Sequence, residues 1–244
     1  MKHIYAVNNQ EELNSLQSFV RSNETKLSAY LEFLKENFSV TDLPRCVLWT
    51  NLETATQLIS DIPLPGYTNA YRTVFCPDID IWKEIYLRQL ERTNLPDVHN
   101  YYKSQITTNN ILQILGHEFV HHSQLFLDEF DLSYESGIWF EEGMCEYISR
   151  KYFLTPSEFQ KESEINAILV DHFRDIYGNH PLEEFGKNTY QNDVASIFCE
   201  YWRSFLAVEK IIHIYNGDIH AVFRSYHQWH ASNSSLTLEE WFGI

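Results

Sequence analysis

His117, Glu118 and His121 stand in the order H-E-x-x-H. If this stretch is helical, the two histidines lie one turn apart on the same face. Their imidazoles can then converge on one zinc ion, while Glu118 projects beside them and can polarise a bound water. A catalytic zinc takes three protein ligands and leaves a fourth position open, so the pair needs a partner. A carboxylate on a second helix is the usual way to complete the set. Glu142 lies far enough along the chain for a first helix to end, a loop to turn and a second helix to approach.

Two predicted helices must position these groups. Ile111, Leu112, Ile114, Leu115, Phe119 and Val120 give the first an apolar side, with Thr107 or Thr108 as N-cap. The H-E-x-x-H stretch is expected in the middle of this buried helix. His122 points about 100° away from the metal face and is expected at the surface or in an outer sphere. The second helix is predicted over 139–147 and opens near the aromatic pair Trp139 and Phe140. Between the two, the polar and acidic stretch 128–136 reads as a loop.

The second helix, W-F-E-E-G-M-C-E-Y over 139–147, resembles the W-x-N-E-G-F-A-E-Y form of the gluzincin metallopeptidases. That broad group includes thermolysin and aminopeptidase N. The resemblance puts Glu142 in the ligand position and implies a Zn2+ centre held by His117, His121 and Glu142. It implies outer-sphere roles for Glu146, toward His117, and for Glu141, toward His121. Glu141 stands where the family has Asn, and the connection between the motifs is longer than in aminopeptidases. Further on, Tyr190, Ala195, Ser196, Tyr201 and Asn216-Gly217 follow the family outline loosely, and Tyr190 is the closest match to its oxyanion-binding tyrosine. The resemblance covers about 107–226. The implied fold is α+β and mainly helical. It would be a single zincin-like domain over 1–244, with an N-terminal α+β lobe of about 1–127 and a helical C-terminal lobe of about 128–244. A small sheet would precede the active-site helix, its edge strand lining the substrate cleft.

Elsewhere, the pattern around Asn9 and Glu12 reads as a capping box opening one helix. A second is predicted from about Asn23 to form an antiparallel pair with it. Residues 45–49 and 71–76 read as strands, 63–66 as a turn, 81–90 as helix and 94–100, which holds Pro96, as a loop. After Tyr147 the chain is largely helical. Thr155-Pro156 opens a segment whose helix ends at Gly178, and 180–182 begins a loop. A long amphipathic helix follows over 193–215, closed by Asn216-Gly217. Thr237 and Glu240 cap a last short one. His180, His213 and His227 read as structural or exposed.

Composition bounds the partners. Eighteen basic against 34 acidic residues give a formal charge of −16, which repels phosphate backbones and anionic lipid. Nucleic-acid and membrane partners are not expected. Residues 1–12 hold no apolar signal core, and no stretch reads as a membrane span. Cys46, Cys76, Cys145 and Cys199 form no C-x-x-C pair and read as reduced thiols, although strands carrying Cys46 and Cys76 could be neighbours. The expected compartment is therefore the cytoplasm.

The leading expectation is a zinc metallopeptidase acting on a peptide or protein substrate, with Glu118 as general base and Tyr190 as oxyanion donor. The G-x-M-E-N segment that reads a free amino terminus in aminopeptidase N is absent, so exopeptidase action does not follow. Two rival readings are a catalytically silent zincin-type binding or regulatory module, and a helical interaction protein with a coincidental motif. Intact Glu118 favours the enzyme. No G-x-S-x-G elbow, P-loop or dinucleotide signature offers another reaction class.

Overall fold

The computed structural model describes residues 1–60, 62–91, 93–127, 137–186, 189, 193–232 and 234–244. The protein is α+β and mainly helical, with a four-stranded sheet. It divides into two compact units: Met1–Gln124 with Tyr152–Leu154, and Leu125–Lys151 with Thr155–Ile244. The expected loop over 128–136 lies outside the described residues.

The first unit contains the sheet. Strands β1 (Lys2–Ala6), β2 (Cys46–Thr50), β3 (Gly66–Thr68) and β4 (Arg72–Phe75) lie in the order β1-β2-β4-β3. The first three in that order are mutually parallel, and β3 runs antiparallel to β4. The two expected strands, β2 and β4, are the central ones, and Val47, Trp49, Val74 and Phe75 give them a fully buried core. Both edge strands were missed. β1 is largely exposed and reads K-H-I-Y-A, while β3 is three residues long and follows Pro65 directly. Edge strands need no continuous apolar run, so neither carried a pattern.

Helix α1 (Gln10–Phe38) corrects the expected helical pair, since it runs unbroken for 29 residues. Asn9 caps it by accepting from the Glu12 N–H, and Glu12 reaches back to the Asn8 N–H. Neither Ser22 nor Asn23 breaks the helix. Asn23 donates its amide to the Phe19 carbonyl one turn back, and the buried stripe Leu16, Val20, Leu27, Tyr30, Leu34, Phe38 continues through it at helical spacing. Helix α2 (Ile79–Arg88) falls where expected, capped by Asp78. Helix α3 (Pro96–Ser104) replaces the expected loop. Pro96 opens this helix because its fixed φ suits the first helical position, where no N–H bond is needed.

Helix α4 (Thr108–Val120) carries the histidine motif. Thr107 is its cap, in a reciprocal box with Asn110. It packs on α1, α2, β3 and β4. Gly116, immediately before His117, makes one of these approaches possible. A Cβ there would lie 2.6 Å from the Phe153 ring and 2.9 Å from the Tyr30 ring, and the Tyr30 hydroxyl donates to the Gly116 carbonyl at 3.2 Å.

The second unit is helical. It holds α5 (Ile138–Phe153, whose last two residues belong to the first unit), α6 (Pro156–Tyr177), α7 (Val194–Ile214), α8 (Ile219–Ala231) and α9 (Leu238–Phe242). The expected start and stop signals operate here. Thr155 boxes with Glu158, Asp193 caps α7, Thr237 boxes with Glu240, and the chain leaves α7 through Asn216 and Gly217, both at positive φ. Phe140 anchors the aromatic core, stacked on Tyr226 at 4.5 Å and on Phe242 at 5.6 Å. Cys46, Cys76, Cys145 and Cys199 are all free thiols. Among the described residues, no helix is long and apolar enough to cross a membrane.

Gly116→Ala tests the clamp on α4. Overpacking two buried rings costs about 1–3 kcal/mol, and the helix-propensity gain recovers about 1 kcal/mol. Urea unfolding should therefore show a net loss of roughly 1–2 kcal/mol, whereas unchanged or raised stability would mean the rings simply move aside.

Candidate functional site

The histidines lie at the carboxyl end of α4. The motif occupies the last turn, not the middle of the helix: the helix closes at Val120, and His121 is its C-cap. The backbone then tightens, with the His122 and Ser123 N–H groups reaching Phe119 and Val120. The Ser123 hydroxyl donates to the Phe38 carbonyl at the end of α1. These bonds hold the chain that follows His121.

Within this unit the two imidazoles come together. Their Nε2 atoms are 3.1 Å apart, and the ring planes meet at 70°. His117 and Glu118 are buried, and His121 is half-buried. Two nitrogens on one tetrahedral zinc, each at about 2.0–2.1 Å, lie about 3.3 Å apart. The observed separation is close to that value.

His122 departs from expectation. It is buried, not at the surface, and its Nε2 is 3.1 Å from the Thr68 hydroxyl on β3, which in turn lies 2.9 Å from the Thr73 hydroxyl. Burial, then the neighbouring His121, push its pKa down to about 4. The imidazole is therefore neutral around pH 7 and ties the edge strand to the end of α4. An unrecognised β3 left nothing in the sequence to cover this ring.

The carboxylate belongs to the second unit. Glu142 is buried on the second turn of α5, and its Oε1 accepts from the Tyr201 hydroxyl of α7 at 3.3 Å. Gly143 sets how closely these helices pack: a Cβ there would fall 2.4 Å from the Ser204 carbonyl oxygen and 2.6 Å from Val208. The family-like glycine thus has a local reason, the backbone of α7. Cys145, nearly one turn beyond Glu142, is a buried free thiol. Glu146 pairs with Arg150 at 2.7 Å, and Arg150 also lies 3.7 Å from Glu162, with its guanidinium 4.1 Å over the Phe205 ring. Glu141 is buried in the first turn of α5.

Tyr190 lies outside the described residues. His180 meets the buried Glu200 at 2.7 Å beside Arg203, His227 lies 2.7 Å from the Leu125 carbonyl, and His213 is exposed. Sequence reasoning named Tyr201 only as part of the loose family outline and did not foresee its bond to Glu142. It missed Cys145 as a donor, although Cys145 stands three positions after Glu142, on the same side of the helix. In comparisons with known proteins, the chain matches no family model, no curated protein and no solved structure.

Gly143→Ala would force α5 off the α7 backbone, which has no rotamer with which to yield. The expected loss is about 2–3 kcal/mol of unfolding free energy, larger than for Gly116→Ala. A loss below that of Gly116→Ala in the same urea titration would contradict the close approach.

Proposed function

We propose that the protein is a zinc-dependent metallopeptidase. The observation that supports this most is the imidazole pair: two nitrogens 3.1 Å apart at the end of a buried helix, with Glu118 in sequence between them. The donor set also fits in kind, since imidazole nitrogens and one carboxylate are ligands that zinc takes.

In this reading His117, His121 and Glu142 hold the metal, in a zincin-like arrangement. Bound zinc lowers the pKa of water and polarises a carbonyl oxygen. Glu118 accepts the proton of the attacking water and passes it to the leaving amine. Tyr201 positions Glu142 through its hydroxyl. Tyr190 is the proposed donor to the oxyanion that develops on the peptide carbonyl. The buried surroundings of Glu118 keep bulk water from competing for its proton. The substrate is a peptide or protein, and the acidic surface disfavours nucleic acid and anionic membranes as partners.

A second donor set competes with this one. In this alternative the Cys145 thiolate would take the place of Glu142 beside His117 and His121, which would make a more closed, structural type of site. That version fits the silent binding module.

Metal analysis and a peptide library separate these readings. One zinc per chain is expected, lost in both His117→Ala and Glu142→Ala but kept in Cys145→Ala. Glu118→Gln should keep its zinc and lose cleavage by roughly 10²-fold or more. Zinc lost in Cys145→Ala but kept in Glu142→Ala would support the thiolate set. Equal inertness of wild type and Glu118→Gln would remove the peptidase.

A further inference from the structure

We infer that the first unit carries a second binding site, for a small organic cation, at the carboxyl edge of its sheet. A cavity of about 640 Å³ opens where β1, β2 and β4 end, lined by the connections 7–8, 51–53 and 76–79. Its other wall is the first three turns of α1. Ligands of open sheets sit preferentially beyond the carboxyl ends of parallel strands, because the connections there splay into a crevice. The volume falls in the ordinary range for small-molecule sites.

The lining fixes the sign of the ligand's charge. Glu12, Glu53 and Asp78 are carboxylates, and no Lys, Arg or His lines the cavity among the described residues. Glu12 and Asp78 already accept bonds from backbone N–H groups at the starts of α1 and α2. An anion would find those N–H groups taken and three like charges around it. A cation meets the opposite field, in a chain whose net charge is −16. Phe19 adds an aromatic ring to the same wall, and an ammonium that meets the face of such a ring gains further attraction. Leu16, Leu52, Pro77 and Ile79 supply apolar surface for a hydrocarbon body. The ligand is thus an ammonium group on a short apolar body. This inference is independent of the metal centre.

Titration calorimetry on the full chain tests it with phenethylamine, against phenylpropionate and phenylethanol as anionic and neutral analogues. Phenethylamine should bind saturably with a Kd on the order of 1 mM or tighter, and roughly tenfold more tightly than either analogue. Asp78→Asn removes one charge while keeping a good helix cap, and should weaken binding about twofold to fivefold. Ser15→Trp, at an exposed position of α1 that borders the cavity, should fill the site and abolish binding. If phenylpropionate binds as tightly, if no probe binds saturably, or if Asp78→Asn and Ser15→Trp both bind like wild type, the site is refuted. Binding that vanishes in His117→Ala would move the amine to the histidine pair and equally overturn the inference.

Discussion

Two imidazoles side by side at the end of an apolar helix, one buried and one half-buried, set the terms for the first unit. Polar rings in such a place cost free energy unless something satisfies them. The surroundings are arranged to hold them there. Gly116 lets the Tyr30 and Phe153 rings close on α4 immediately before His117. The Ser123 hydroxyl ties the residues after the motif to the end of α1, and His122 ties them to β3 through Thr68. Rings fixed in this way at 3.1 Å would need little further ordering to bind the proposed metal.

The second unit meets a parallel demand around Glu142. A buried carboxylate needs a donor or a cation, and α7 supplies the Tyr201 hydroxyl because Gly143 lets it come close. The next carboxylate along α5, Glu146, is neutralised by Arg150, which Phe205 and Glu162 hold in turn. One helix thus carries a carboxylate bonded to a hydroxyl and another paired with a guanidinium.

Much of this was legible where a local rule decides the outcome. The Thr107, Thr155 and Thr237 caps and the apolar central strands β2 and β4 follow from spacing and residue type alone. What escaped depended on neighbours or on position within the sheet. β1 and β3 are edges, so the polar character that hid them is what an edge requires. Asn23 reads as a break in isolation, yet the stripe through Val20 and Leu27 carries the helix across it. Pro96 reads as a loop residue and instead starts a helix. The meeting of His117 and His121 was readable because helical spacing puts them on one face, whereas the bond from Tyr201 to Glu142 depends on the packing of α7 on α5.

X-ray absorption at the zinc edge, on the purified full-length chain, tests the central claim most directly. The expected spectrum has four nitrogen or oxygen neighbours at about 2.0–2.2 Å, two of them with the outer-shell pattern of imidazole. A sulfur neighbour at about 2.3 Å would replace Glu142 with Cys145, and a zinc shell without paired imidazoles would contradict the metal centre altogether.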